Sequence, residues 1–201
     1  MAYVLINHGW TNVRAEDHWQ RKLAVALRRQ GHQVFYPQYP STDAPSFADW
    51  SWLLARELEI LLETRGDDSD EIIVIGHSLG NINLLKSAAA GILPAELSID
   101  RLLIAAPPES KLLSELSDFS FELSDPALAG ALHAVARSIT LVGSDADPWC
   151  PSGIQAVFGD PLGVDAVIIP GGKHLSSKDG WGSWQGIIDW VSNPDSDLTK
   201  R

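Results

Sequence analysis

Residues 72–80 read Ile72-Ile73-Val74-Ile75-Gly76-His77-Ser78-Leu79-Gly80, and a helical pattern follows directly at 82–90. The apolar, β-branched run predicts a strand that is buried on both faces. A serine flanked by glycines at a sharp strand-to-helix turn is held in a strained backbone conformation that lifts its hydroxyl clear of the sheet. The stretch therefore predicts a nucleophile elbow that exposes Ser78. The alternative is a glycine-rich turn whose serine only caps the helix.

Short apolar runs on both sides of this turn alternate with longer helical patterns, which is typical of parallel strands joined by crossover helices. The predicted strands lie at 2–7, 33–36, 71–76, 101–105, 138–143 and 165–169, and the predicted helices at 15–30, 47–61, 78–90, 128–135 and 184–191. We therefore expect an α/β fold, with a mostly parallel sheet of about six strands and helices on both faces.

The chain of 201 residues is long enough for one hydrophobic core. We expect a single domain over residues 1–192 and a polar, frayed tail over 193–201. Between 107 and 126 the periodicity is lost, which predicts a loop with a short helix at the carboxyl edge of the sheet. This segment is too short for a large lid domain, so we expect an open site, with Phe119 and Phe121 as candidate pocket walls.

A serine hydroxyl needs a base within hydrogen-bond reach and an acid that orients the base. In proteins with this turn, the acid and the histidine follow the serine in that order, each on a loop after a strand. His174 follows the predicted strand at 165–169 and is the candidate base. His133 lies in a predicted short helix and is interpreted as a surface or core histidine.

Two aspartates compete for the position of the acid on the loop after the strand at 138–143. Asp147 is favoured because the prolines at 148 and 151 turn the chain sharply and hold a carboxylate at the turn. Asp145 then caps or braces the loop, and it stays open as the alternative acid. A metal site on this Asp-x-Asp pair is a third reading, but no acidic or histidine partner at metal-ligand spacing supports it. We expect no metal.

Acyl transfer also requires hydrogen-bond donors for the oxyanion. One candidate is the backbone N–H of Leu79, because it lies at the amino terminus of a helix. The other is the N–H of Trp10, which follows a glycine placed directly after the first strand. His8 and Trp149 lie beside predicted site loops and are candidate pocket residues. For His8, a structural role as a hydrogen-bonded histidine is an equal alternative.

The composition excludes several classes of function. Hydrophobic residues make up 45% and charged residues 20% of the chain, which is the composition of a globular domain. The formal net charge of −11 repels phosphate groups, so we expect no nucleic acid and no membrane as partner. The single cysteine, Cys150, cannot form an internal disulfide, and no signal peptide is visible, so we expect a cytoplasmic protein. The glycines at 180, 182 and 186 miss the spacing of a dinucleotide loop, and we expect no cofactor.

These residues resemble the α/β-hydrolase superfamily and, within it, the small YdeN-like serine hydrolases related to retinoblastoma-binding protein nine. The resemblance covers most of the chain and rests on the first strand with Asn7-His8-Gly9, Trp50, the turn at 76–80, the segment 143–148 and Gly172-Lys173-His174. It implies a minimal α/β-hydrolase fold without a large lid and an esterase-like activity on small substrates. It also implies that Asp147, in the acidic pair before the proline, is the acid of the triad.

Two functions follow as hypotheses. The first is a serine hydrolase that cleaves small carboxylic esters, thioesters or amides through an acyl-enzyme on Ser78, with His174 as base and Asp147 as acid. The second is a protein-binding module on a hydrolase scaffold with vestigial activity, suggested by the missing lid and by three aromatic residues expected to be exposed, Phe119, Phe121 and Trp181. The complete set of three coupled residues favours the first hypothesis, with a small acyl compound as the partner.

Overall fold

The computed structural model describes residues 1–67, 69–121 and 126–201. Within these ranges the chain forms a six-stranded sheet with the order β2-β1-β3-β4-β5-β6, and every neighbouring pair is parallel. The strands are β1 (Ala2–Asn7), β2 (Gln33–Phe35), β3 (Glu71–His77), β4 (Arg101–Ala105), β5 (Ile139–Ser144) and β6 (Ala166–Ile169). The predicted α/β fold with a parallel sheet is confirmed.

The central strand β3 shows why these runs are continuously apolar. Successive side chains of a strand point to opposite faces of the sheet. Ile72 and Val74 belong to one hydrophobic core, whereas Ile73 and Ile75 belong to a second core on the other face. All four side chains are fully buried. The strand therefore has no solvent-facing side that polar residues could occupy.

Six α-helices within the described ranges cover these two faces. The first core includes side chains of α2 (Phe47–Thr64), α3 (Leu79–Ala89), α4 (Pro126–Val135) and the short α5 (Asp160–Leu162), and the second includes those of α1 (Trp19–Arg29) and α6 (Gln185–Ser192). None of the described helices combines the length and the apolar character that crossing a bilayer requires.

The start of α1 differs from the prediction. The helix begins at Trp19 instead of residue 15, because His18 is its N-cap and accepts a hydrogen bond from the backbone N–H of Gln20. The preceding residues form a loop that is held by contacts with another part of the chain. The Arg14 guanidinium donates a hydrogen bond of 2.8 Å to the carbonyl of Tyr36. This loop follows β1 and lies at the carboxyl edge of the sheet.

The segment between β4 and α4 contains two short 3₁₀ helices, Ser110–Leu112 and Ser114–Phe119, and its residues 122–125 lie outside the described residues. Phe119, expected in a pocket wall, is fully buried instead. Its ring packs edge-on against Trp50, with 5.6 Å between the ring centroids. The prediction for Phe119 is therefore wrong, because this side chain anchors the segment to α2.

The other two aromatic residues expected to be exposed are also buried. Trp181 has no exposed surface, and Phe121 is only 7% exposed. The Trp181 indole N–H donates to the carbonyl of Gly172 over 3.0 Å, and its ring packs against Trp184. The protein-binding hypothesis therefore loses the aromatic surface that suggested it.

The polar tail after α6 is packed rather than frayed. Leu198 is only 3% exposed, and its carbonyl accepts a hydrogen bond of 2.7 Å from the Trp184 indole. Gly186 at the start of α6 makes room for this contact, since a Cβ there would lie 2.6 Å from the carbonyl oxygen of Asp197. The expected fraying is wrong because a single apolar residue in a polar stretch is sufficient to dock it.

Candidate active site

Ser78 lies at the turn between β3 and α3 in a backbone conformation that non-glycine residues rarely adopt, with φ 52° and ψ −129°. Its side chain does not cap the helix, in contrast to the alternative reading. The flanking glycines are required by close contacts. A Cβ at Gly80 would lie 2.6 Å from the carbonyl oxygen of His8, and one at Gly76 would overlap the side chain of Asn81. The tight turn raises the serine hydroxyl above the edge of the sheet.

His174 brings its imidazole to this hydroxyl from the loop after β6. Its Nε2 lies 2.8 Å from Ser78 Oγ, although the two residues are 96 positions apart in the chain. The neighbours of His174 have left-handed backbone conformations, with φ 53° at Lys173 and 51° at Leu175. Such angles are costly outside glycine, so the surrounding contacts must hold this loop in place. The imidazole is therefore positioned by its fold before any substrate binds.

Asp147, after β5, contacts the other nitrogen of the same imidazole. His174 Nδ1 lies 3.0 Å from both carboxylate oxygens of Asp147. The carboxylate is buried, and it also accepts a hydrogen bond of 2.8 Å from the backbone N–H of Trp149. An ionised carboxylate only accepts, so Nδ1 carries the proton that it receives. Nε2 is then the acceptor that faces Ser78.

The competing Asp145 has a different contact. Its Oδ1 accepts a hydrogen bond of 2.7 Å from the backbone N–H of Gly171. This bond ties the loop after β5 to the loop that carries His174. The structure thus places Asp147 on the imidazole and Asp145 on the neighbouring backbone, and it brings Ser78, His174 and Asp147 together at one edge of the sheet.

The two candidate oxyanion donors belong to residues next to the serine in the chain or in the cavity lining. The amide of Leu79 is at the amino terminus of α3, and within the described ranges neither it nor the amide of Trp10 donates to a protein acceptor. Gly9 allows the loop after β1 to approach this closely, because a Cβ at Gly9 would lie 2.7 Å from Ser78 Cβ and 3.2 Å from its Oγ. Leu79 and Trp10 therefore both line the cavity together with Ser78.

A cavity of about 550 Å³ opens in front of Ser78. Its apolar wall includes Trp10 and Trp149, whose rings meet edge to face with 6.0 Å between their centroids. Further apolar lining comes from Val13, Ala15, Leu79, Pro108, Leu113 and Pro148. A polar stretch at 176–179 lines the cavity next to His174. The lining therefore includes both aromatic and polar residues, and the cavity is large enough for a small molecule.

His8, a candidate pocket residue, does not line this cavity. Its imidazole is fully buried, and its Nε2 accepts a hydrogen bond of 2.9 Å from the backbone N–H of Tyr39. Burial lowers the pKa of His8 to about 4, so the ring is neutral near pH 7. The structural alternative therefore holds for His8, which supports the backbone beneath the cavity.

The sequence pattern did not indicate two residues that support the site. His77, buried beside Ser78, donates a hydrogen bond of 2.9 Å from Nε2 to the carbonyl of His174, and burial holds the pKa of His77 well below its ordinary value. In its neutral form the ring donates from Nε2 without adding a charge beside His174. Since any residue type fits the position between Gly76 and Ser78 in the motif, nothing in the motif marks it.

Glu109 is the second such residue and lies in the aperiodic segment after β4. Its buried carboxylate accepts a hydrogen bond of 3.1 Å from Ser152 Oγ and pairs with Lys111 over 2.6 Å. Its backbone N–H also donates to the carbonyl of Trp149 over 2.8 Å. These bonds connect the segment after β4 to the loop of Asp147. The absence of periodicity around Glu109 concealed this role.

The parallel sheet, the elbow after β3 and the polar loops after β5 and β6 define the α/β-hydrolase fold. The model of the serine hydrolase family matches residues 4–193. The chain belongs to the serine hydrolase family.

Solved structures share this fold at low sequence identity. The ydeN gene product of B. subtilis is 19% identical with a TM-score of 0.75, over 96% of this chain and 97% of that chain. A putative YdeN-like hydrolase from Pectobacterium atrosepticum is 17% identical with a TM-score of 0.69, over 96% and 89%. Est1E from Butyrivibrio proteoclasticus is 15% identical with a TM-score of 0.61, over 96% and 89%. A comparison with curated protein sequences finds no match.

Proposed function

We propose that the chain is a carboxylesterase-like hydrolase that cleaves small esters, thioesters or amides through an acyl-enzyme on Ser78. The observation that carries this proposal is the chain of hydrogen bonds that links Ser78, His174 and Asp147. Ser78 Oγ lies 2.8 Å from His174 Nε2, and His174 Nδ1 lies 3.0 Å from the Asp147 carboxylate oxygens. A hydroxyl becomes a strong nucleophile when a correctly oriented base accepts its proton. The chemistry needs no metal or cofactor.

In the proposed reaction, Ser78 Oγ attacks the carbonyl carbon of the substrate, and its proton passes to His174 Nε2. The resulting oxyanion accepts hydrogen bonds from the amides of Trp10 and Leu79. The intermediate then collapses, and the leaving group takes the proton from His174. Water attacks the acyl-enzyme and gives a proton to His174, which returns it to Ser78 as the acid is released. Asp147 stabilises the imidazolium that forms twice in this cycle.

The test is labelling with a fluorophosphonate, which reacts covalently only with an activated serine. We expect the probe to modify Ser78 in the native protein, as peptide mass spectrometry after proteolysis would show. Denatured protein is the matched control, because the base and the serine separate on unfolding. Native, well-folded protein that takes up no label would contradict the proposal and favour a binding module on the same scaffold.

Gly9→Ala probes the approach of the Trp10 amide to the nucleophile. The added Cβ would lie 2.7 Å from Ser78 Cβ, so the loop after β1 has to retreat and take the Trp10 N–H with it. Since loss of one oxyanion donor lowers kcat by roughly 10²- to 10³-fold, we expect a decrease of that size in ester hydrolysis.

The control for this variant is Gly130→Ala on α4, where an added Cβ meets no heavy atom within 4 Å. Because alanine favours a helix over glycine by about 0.8–1 kcal/mol, we expect this control to keep its activity and to unfold at a slightly higher temperature. Equal activity of the two alanine variants would exclude the assigned role of the Trp10 amide.

A further inference from the structure

His18 is a buried histidine that the proposed reaction does not use, although it lies in the wall of the cavity. Only 6% of its surface is exposed, and it lines the same cavity as Ser78 and His174. Its Nδ1 accepts a hydrogen bond of 3.2 Å from the backbone N–H of Gln20 at the start of α1. A neutral imidazole has one donor and one acceptor, so the proton of His18 resides on Nε2.

The Nε2–H of His18 has no hydrogen-bond acceptor within the described parts of the chain. The ring itself is held firmly: it packs edge-on against His77 with 5.5 Å between centroids and lies beside Trp19 at 5.7 Å. Since His18 lines the cavity and Nε2 is not closed off by a protein acceptor among the described residues, this N–H is available to a molecule that enters the cavity.

The charge of His18 suits this position. Burial lowers the pKa of His18 to about 4, so the ring is neutral near pH 7. In the proposed reaction His174 becomes positively charged, and a protonated His18 would repel that charge. A lysine or arginine at this place would oppose the imidazolium. A neutral N–H donates a hydrogen bond without that cost.

The position of His18 relative to His174 indicates which part of a substrate it meets. His174 has to deliver its proton to the leaving group, so the leaving group stands beside His174. His18 and His174 both pack against His77, with 5.5 and 5.2 Å between the ring centroids, and both line the cavity. Trp149 also lies beside His174, with 6.0 Å between the ring centroids, so the leaving group has an aromatic neighbour as well.

We propose that His18 is a specificity-determining residue whose Nε2–H donates a hydrogen bond to an oxygen atom in the leaving group. This inference rests on the proposed function. It assigns the substrate class as esters of oxygenated alcohols, such as glycol or glycerol-type esters, in preference to esters of plain alkyl alcohols. A site built to hydrogen-bond a substrate group discriminates against an analogue that lacks it, because the buried donor is then left unpaired.

Two esters of equal length test this preference. 2-Methoxyethyl acetate carries an ether oxygen where n-butyl acetate carries a methylene group. We expect the parent protein to show the higher kcat/KM with the methoxyethyl ester. The ratio of the two kcat/KM values is then compared between variants, so that the difference in intrinsic reactivity between the esters cancels.

Two variants separate the donor from the helix cap. His18→Ser keeps a preferred N-cap but has no group long enough to reach the cavity. His18→Gln removes the imidazole cap but retains an N–H at a similar reach. We expect the ratio to fall by about tenfold in His18→Ser, the value of one hydrogen bond, and to be largely retained in His18→Gln. The unfolding temperature of His18→Ser, read by circular dichroism, reports the cap independently.

The outcomes distinguish this inference from the proposed function. A ratio that is unchanged in His18→Ser, or lost equally in both variants, would overturn the role of His18 while leaving ester hydrolysis intact. If the parent protein hydrolyses neither ester and a fluorophosphonate does not label Ser78, the proposed function fails, and the inference fails with it.

Discussion

Ser78→Ala is expected to lower the turnover of p-nitrophenyl acetate by roughly 10⁴- to 10⁶-fold, since removal of a nucleophile that acts as a unit with its base abolishes the covalent route. The hydroxyl is hydrogen-bonded to His174 Nε2 and does not cap α3. Because it supports no element of the fold, we expect its loss to leave the fold unchanged. Alanine also retains the Cβ of serine at this strained turn. Steady-state kinetics and circular dichroism of the purified variant measure the two effects separately.

The matched control is Ser87→Ala on the same helix. Ser87 is fully buried, and its hydroxyl has no hydrogen-bond partner among the described residues. Removal of an unpaired buried hydroxyl is neutral or slightly stabilising, so this variant should keep the parent's activity. Substantial turnover by Ser78→Ala, after contaminating esterases have been excluded by labelling, would contradict the proposed mechanism.

Asp147→Asn is expected to lower ester turnover by roughly 10³- to 10⁴-fold with little change in stability. The asparagine oxygen can still accept the hydrogen bond from the backbone of Trp149, so the loop keeps its shape. Its amide group, however, can only donate towards His174 Nδ1. The imidazole is then forced to carry its proton on Nε2, where it can no longer accept the proton of Ser78.

Asp145→Asn is the control because Asp145 lies two positions away and makes a different contact. An asparagine oxygen can still accept the hydrogen bond from Gly171, so we expect activity close to that of the parent. The pair of variants, assayed by kcat with p-nitrophenyl acetate, assigns the acid directly. A larger loss in Asp145→Asn than in Asp147→Asn would reverse that assignment.

The helix and strand positions follow closely from local patterns. The predicted strands differ from the observed ones by at most one residue at either end, because the runs are rich in apolar and β-branched residues and are bounded by turn residues. The start of α1 could not be read in this way. Arg14 and its neighbours are held by contacts with the backbone near β2, and such contacts leave no periodic pattern.

The sequence pattern also did not predict how some single side chains pack. Phe119 was expected in a pocket wall because its segment follows a strand at the carboxyl edge of the sheet, yet its ring packs against Trp50. Leu198 docks a tail that is polar by composition. In both cases the hydrophobic effect buries a single side chain, and a single residue produces no repeating pattern that could be recognised in the sequence.

The sequence by itself determined the α/β architecture, the elbow that carries Ser78 and the loops that hold His174 and Asp147, because these depend on short-range periodicity and turn chemistry. Only the tertiary structure decided that Asp147 rather than Asp145 contacts the imidazole, that Gly9 lies against the serine, and that His18 lines the cavity. Those contacts join loops that the strand order of the sheet brings together, and no local pattern encodes the distance between residues 96 positions apart.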